Sequence, residues 1–484
     1  MTPAEPAAGP PPGPSLTSAV VIGSGIFSTA LLLLYSGPLS WTQQLLAFAI
    51  ANVAMLPLAW YLRPARDKTD FPIFQILLTY YAVSFGWTAF SSQIVWYSAG
   101  EAAISRAYFV ACIGIAALFT GYYLLRPRAL IPFPLPVFQA KLPSSFIYVL
   151  GLGLVAVNIG LFALPGDSKG GAVEQVRTAF GSCGMALLWL YYFRPTTDRS
   201  ERMLVIGLTA ALMLIYSLMA SIKPLVVPII VIAVTWWRTH HRIPWMMMGV
   251  VVALFITVNP IKHYWRDRVW HAGHAVSITE NLGYLADAFD DYYFGPNIRG
   301  IEGDKASINR LCDIPVLTRA VSYTPRSLPY WRGITLKVLL YSMVPRAIWP
   351  DKPRAQFSNQ FGRIYEIISP TDTLTLISIN WITEIYINFG PMGVLLGMTL
   401  IGMATRVVEQ SVSRPQVPDL VFAIGVGAAG PLYNGGENLA MVWGGFPLKL
   451  VLLMATAQLT WWVLYRRGSQ AAPDLPAPTQ THAG

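Results

Sequence analysis

Ile104-Ser-Arg106-Ala-Tyr108-Phe-Val-Ala-Cys112-Ile-Gly114-Ile-Ala-Ala-Leu-Phe119-Thr-Gly121-Tyr122-Tyr123-Leu-Leu125 runs with a single charge and then meets Arg126-Pro127-Arg128. A helix that crosses a bilayer needs about 20 apolar residues, and this stretch supplies them. Blocks of the same kind recur near 17–36, 42–61, 72–90, 144–164 and 174–193. The apolar stretch 203–259 is too long for two helices. Ser221-Ile222-Lys223-Pro224 and the run Arg238 to Pro244 cut it, which predicts spans near 203–219, 224–237 and 244–259. Blocks near 382–404, 418–435 and 441–465 bring the expected total to about twelve transmembrane helices, an all-α polytopic membrane protein.

Composition agrees. Hydrophobic residues make up 54% of 484 positions and charged residues 12%, where soluble chains carry about 25% charge. The 16 Trp and 23 Tyr suit two interfacial belts. The net charge of +10 is dealt out singly between apolar blocks rather than in basic runs, so nucleic acid is not an expected partner. Cys112, Cys183 and Cys312 have no metal-ligand spacing, and no metal site is expected. The Pro/Ala-rich ends, 1–16 and 466–484, are expected to be disordered tails.

Lys and Arg in short loops mark the cytoplasmic side of a membrane protein. Arg63/Arg66/Lys68, Arg126/Arg128/Lys141, Arg194/Arg199/Arg202, Arg238/Arg242, Arg406/Arg414 and Arg466/Arg467 all fall on one side of the twelve-span parse. Both termini then lie inside, helices one to nine fill 17–259, and the long polar interval 260–380 lies outside before the last three spans at 381–465. That interval holds fourteen of the 34 Lys and Arg, against the usual trend. A solvated loop accounts for them, and so does a surface that grips phosphate through the planar fork of Arg.

Within the interval, Tyr341-Ser-Met-Val-Pro345-Arg346-Ala-Ile348-Trp349-Pro350-Asp351-Lys352-Pro353 is stiffened by three prolines and mixes apolar with charged residues. A re-entrant or interfacial segment is expected near 334–353. At the start of the next span, Glu384, Tyr386 and Asn388 follow one another at alternate positions, and Glu384 and Asn388 share a helix face. An ionisable group there is expensive unless a partner or cavity receives it, and an Arg of the loop is the expected partner. Gly390 and Gly393 read as helix-packing residues. Tyr433-Asn434-Gly-Gly-Glu437-Asn438 is a polar knot at the mouth of the last helix pair, compatible with a tight turn or a ligand site. His263, alone in its loop, reads more naturally as solvated than as a base. There is no Walker A loop and no internal repeat.

The segments Pro345-Arg346-Ala-Ile-Trp349-Pro350-Asp351-Lys352-Pro353 and Glu384-Ile-Tyr386-Ile-Asn388-Phe389-Gly390-Pro-Met-Gly393 resemble the Wzy-type oligosaccharide repeat-unit (O-antigen) polymerase family. The resemblance covers mainly the C-terminal half. Ser221 and Lys223 are similar to a turn of that family in which arginine is the more usual basic residue.

The resemblance implies a glycosyltransferase of the bacterial inner membrane. Such an enzyme joins undecaprenyl-diphosphate-linked oligosaccharides on the periplasmic face into O-antigen, exopolysaccharide or capsule, without nucleotide sugar, metal or other cofactor. Its partners would be the lipid-linked oligosaccharide, membrane lipid, a chain-length regulator and a flippase. Arg346 would stabilise the departing diphosphate, supported by Lys223, Arg266, Arg268 and Lys352. Glu384 or Asp351 would take the proton of the attacking hydroxyl. Trp349, Tyr386 and Tyr341 would stack on sugar rings, with Asn388 and Glu437 beside the substrate. An O-antigen ligase with the same donor, or a transporter or flippase for lipid-linked glycans, stays open as an alternative.

Overall fold

The computed structural model describes residues 16–63, 70–90, 100–125, 131–163, 171–219, 222–272, 276–295, 311–342, 344, 349, 351, 357–373 and 375–465. Apart from Leu16, both expected tails lie outside them. Among the described residues every regular element is helical. In chain order they are α1 (Leu16–Leu34), α2 (Trp41–Tyr61), α3 (Ile73–Tyr81, continued by a π turn at Ala82–Gly86 and a 3-10 turn at Trp87–Phe90), α4 (Glu101–Leu124), α5 (Ser144–Ala163), α6 (Gly171–Tyr192), α7 (Arg199–Ser217), α8 (Ile222–His240) and α9 (Trp245–Trp270). The polar interval contributes α10 (Ile278–Tyr293), α11 (Ile314–Tyr323), α12 (Ile334–Ser342) and α13 (Phe357–Ile364). The last group is α14 (Trp381–Val412), α15 (Asp419–Ala429), α16 (Leu439–Val442) and α17 (Phe446–Tyr465).

Each of the twelve expected blocks coincides with a helix. Nine stretches among the described residues are long and apolar enough to cross a membrane: α1, α2, extended α3, α4, α5, α7, most of α9, α14, and α16 joined to α17. The remaining three differ for legible reasons. The apolar parts of α8 and α15 are short, at Leu225–His240 and Asp419–Leu432, and α6 carries Glu174, Gln175 and Arg177 in its first turns.

Helices α4 and α14 pack closely because glycine removes the side chains between them. A Cβ on Gly121 would stand 2.0 Å from the Thr399 carbonyl oxygen, and one on Gly402 would stand 2.2 Å from that of Leu118. This is the small-residue packing expected where apolar lipid leaves only close contact to drive association. Buried Glu409 of α14 is enclosed by the contact, accepting from Tyr122 Oη at 2.8 Å and from the Phe74 N–H at 2.9 Å.

One end of the bundle is tied by charge. Arg238, at the end of α8, reaches Asp70 at 2.5 Å and Asp419 at 3.3 Å, and donates to the Val417 carbonyl at 2.6 Å. Arg194, at the end of α6, joins Asp419 at 3.1 Å. The Phe422 ring lies 4.6 Å from the Arg238 guanidinium carbon. Burial pushes the Asp70 carboxyl up, and the neighbouring Arg238 charge pulls it back down.

The described parts of the interval 260–380 sit at the other end and are folded rather than a plain loop. α9 runs on to Trp270, and Trp265 Nε1 donates to Asn281 Oδ1 of α10 at 3.0 Å, while Asn281 Nδ2 donates to Ser217 at 3.1 Å. α11 packs on α4 and α14. The docking of 331–333 follows from Pro391. Proline has no N–H, so the Ile387 carbonyl loses its helical donor four residues on. The Trp331 N–H replaces that donor at 2.9 Å, and the Arg332 N–H reaches the Asn388 carbonyl at 3.2 Å. Gly390 absorbs the kink at φ +70°, a backbone that side-chain-bearing residues rarely adopt. Gly390 thus bends α14 and also lets Tyr330 approach, a Cβ there standing 2.7 Å from its hydroxyl, while Gly121 and Gly402 are the close-packed glycines of the α4–α14 contact.

Candidate functional site: a sealed polar centre and an open cavity

Glu384, Tyr386 and Asn388 lie on the first two turns of α14, and all three turn toward the interval 311–342. Asn388 is 1% exposed; its amide oxygen accepts the Gly333 N–H at 2.8 Å, and its Nδ2 donates to Thr335 Oγ1 and to the Glu384 carbonyl, each at 2.7 Å. Tyr386 donates its hydroxyl proton to the Thr324 carbonyl at 3.1 Å. Glu384 is 1% exposed, and its carboxylate accepts the Leu439 N–H at 2.7 Å. Among the described residues no arginine of the interval is seen to receive it. The polar partner is the backbone at the start of α16, brought there by the turn 434–438.

That turn is the polar knot seen in the sequence. The Gly435 carbonyl accepts the Trp381 N–H at 3.4 Å, the Gly436 carbonyl accepts the Ser378 hydroxyl, and Asn438 caps α16 by accepting from the Met441 N–H at 2.9 Å. Nearby, Asp313 opens α11. It is 4% exposed, accepts from Tyr80 Oη at 2.8 Å, and gives its backbone N–H to Ser84 in the π turn at 3.0 Å. Burial pushes its carboxyl up to about 7. Nothing in the sequence set Asp313 apart from other acidic residues of the interval.

On its other side the same turn faces an open space. A cavity of about 440 Å³ lies between α6, α8, α15, α16 and α17, within the ~300–1,000 Å³ range of small-molecule sites. Glu174, Gln175, Arg177, Asn434, Glu437 and Lys449 line it from the loop end of their helices. Val227, Ile230, Val231 and Val234 of α8, with Val426 and Phe71, continue it toward the charge-tied end. The result is amphipathic, with carboxylates, amides and cations at one end and hydrocarbon at the other. Arg177 and Lys449 are each 3% exposed, and sequence reasoning passed over both. The available signal was a charge inside a spanning block, which is costly and marks a site by default.

The other expected site residues are dispersed. Arg346 and Lys352 lie outside the described residues. Lys223 stands in the first turn of α8, four residues before Val227, and its side chain lies outside the description, as does that of His263. Arg268 is engaged by Asp291 of α10 at the surface, and Arg266 is half-buried on α9. Trp349 is exposed with its ring 6.0 Å from that of Tyr341, and Asp351 is exposed. Among the described residues of the expected set, Glu384, Tyr386, Asn388 and Glu437 come together across one turn.

The fold and its cavity define a helical protein with several membrane-length helices and an amphipathic chamber near one end of the bundle. Residues 75–414 match the family model described as a domain of unknown function (DUF8712), and the chain belongs to that family. The match takes in α6 and α8 and stops before Glu437 and Lys449. No curated protein matches the chain, and no solved structure does.

Proposed function

We propose that this protein polymerises undecaprenyl-diphosphate-linked oligosaccharide units on the outer face of a bacterial inner membrane. The topology that goes with this reading has twelve spans, both termini cytoplasmic and the interval 260–380 outside. Its support is the clustering of Arg194, Arg238 and Arg414 at the end away from that interval, as the positive-inside rule requires. The observation that carries the function is the cavity: a chamber of hydrogen-bonding and charged groups at the proposed outer mouth, opening into an apolar shaft. A glycan on a lipid diphosphate has those two halves.

In the reaction, the hydroxyl oxygen of the acceptor unit attacks the anomeric carbon of the donor. A glycosidic C–O bond forms, the C–O bond to the diphosphate breaks, and undecaprenyl diphosphate leaves with the bonding pair. Glu437 takes the hydroxyl proton, since it is the carboxylate of the turn that faces the cavity. The cations of the chamber offset charge growing on the leaving diphosphate. Glu384, the residue favoured for proton transfer by sequence, serves instead to position the turn that carries Glu437.

The test is a gel of surface polysaccharide from cells deleted for the gene and complemented with wild type or Glu437→Gln. A ladder that collapses to single repeat units and returns only with wild type is the expected result. Loss of even single exported units would reassign the protein to lipid-linked glycan export. Free lipid-linked polymer that never reaches its acceptor would make it a ligase.

A further inference from the structure

The first turns of α6 put Glu174 and Arg177 three residues apart, neighbours on one helix face. They form a two-pronged pair, Nε to Oε2 at 2.7 Å and Nη2 to Oε1 at 2.5 Å. The rings of Phe162 and Tyr216 each stand 5.4 Å from the guanidinium carbon and hold its plane. One nitrogen is left over. Arg177 Nη1 is buried and makes no hydrogen bond of good geometry among the described residues, the neighbouring Tyr216 hydroxyl giving its proton to Asn158. Leaving such a donor unmet costs about 1–3 kcal/mol, so a site that keeps it is one where something else arrives to meet it. Lys449 adds a second buried cation to the lining of the same cavity, from α17.

The opposite end has its own regularity. Val227, Ile230, Val231 and Val234 recur at helical spacing along α8, an apolar strip about 10 Å long at 1.5 Å per residue. Val426 belongs to the same lining. A phosphate has several acceptor oxygens and can bridge the remaining guanidinium nitrogen of Arg177 and an ammonium, which a single carboxylate does less well. A hydrocarbon chain attached to that phosphate would lie on the valine strip.

We propose that this cavity is a lipid-phosphate site in which Arg177 and Lys449 hold the phosphate oxygens and the α8 strip Val227–Val234 receives the first hydrocarbon units. The inference rests on the reading above for the identity of the lipid as the glycan carrier; its head-and-chain chemistry is shared with membrane phospholipid. It moves the anion-binding role from the loop residues Arg346 and Arg268 to two cations on the helices.

The experiment uses the full-length protein in detergent, titrated with undecaprenyl diphosphate, phosphatidylglycerol or inorganic diphosphate and followed by native mass spectrometry. Wild type should bind undecaprenyl diphosphate, and Arg177→Gln should weaken it about tenfold or more, the loss of one charge-assisted contact. Because Arg177 is also packed between rings, Lys449→Gln and the shaft-filling Val227→Trp are measured beside it, each checked for an unchanged elution volume. Binding equal to wild type in both of these variants would overturn the proposal. Inorganic diphosphate binding as tightly as the lipid would overturn the role of the strip. One-for-one displacement by phosphatidylglycerol would support the head-and-chain chemistry and assign the site to membrane phospholipid. Normal polymer in the deletion strain would remove the polymerase reading and leave the binding result standing; unchanged binding would do the reverse.

Discussion

Glu384 and Glu437 stand on opposite sides of one turn and do opposite work. Glu384 is enclosed, its carboxylate given to the Leu439 N–H, and around it Asn388 and Tyr386 fasten the interval 311–342 to α14. Glu437 faces a cavity of about 440 Å³ together with Asn434 and Lys449. Glu384, Asn388 and Tyr386 give their hydrogen bonds to the fold, whereas the cavity lining retains Arg177 Nη1. Polar residues that stand out in an apolar helix can therefore be the joints of a scaffold, while residues of plainer context line the neighbouring cavity.

The largest effect should come from the sealed side. Asn388→Ala strands the buried Gly333 N–H and removes the contact to Thr335, with an expected loss of about 2–4 kcal/mol from two unmet partners. A fall in the melting temperature of the detergent-solubilised protein, along with reduced cellular level, checks it. The open side should behave differently. Glu437→Gln should lower polymer formation about 100-fold, the scale of general-base catalysis, while the melting temperature holds. Glu384→Gln sharpens the contrast, because an amide oxygen still accepts from Leu439; polymer should stay within a few-fold of wild type, measured on the same gel. A folded Glu384→Gln protein with no polymer would erase the distinction between the two centres.

How much of this was legible follows from where the energy lies. Spans are dictated by runs of apolar side chains that have no alternative to lipid, so 104–125 and its counterparts could be placed by composition, and helices stand at all twelve blocks. α8 and α15 fell short as spans because their apolar parts are short, at Leu225–His240 and Asp419–Leu432, and α6 because Glu174, Gln175 and Arg177 stand in its first turns. The Glu384–Asn388 face was legible from helical spacing. Its partner was not, because the Leu439 N–H is brought near by a turn 55 residues away in the chain. Arg346 and Lys352 drew attention through local charge density, whereas Lys449 escaped it as a single charge in apolar surroundings and Arg177 as one of a lone pair of charges with Glu174 at the start of a long apolar block. Gly390-Pro391 was visible as a pair, yet its consequence, two freed carbonyls taken up by 331 and 332, needs the tertiary fold.

Gly390→Ala tests that joint with a smaller effect. Its φ of +70° and a Cβ 2.7 Å from the Tyr330 hydroxyl make alanine strained, for about 1–3 kcal/mol. The melting temperature should fall by less than for Asn388→Ala, and an equal fall would mean that the kink, not the amide, holds the interval in place.

The last effect is one of pH and belongs to Asp313. Its ordinary carboxyl value is near 3.8, and burial raises it to about 7 in the folded chain. Below about 4 both folded and unfolded chains hold the proton, and the group costs nothing. Between there and about 7 the folded chain keeps a proton that the unfolded chain releases, so stability falls as pH rises; above 7 the loss is complete and constant. Asp313→Asn removes the titration and can still accept from Tyr80 through its amide oxygen. Melting temperature plotted between pH 4 and 8 should therefore decline less steeply for the variant, with the gap widest at pH 8 in the variant's favour. Parallel curves would mean that the carboxylate is relieved by contacts beyond Tyr80, and that the sealed side of the molecule reaches water after all.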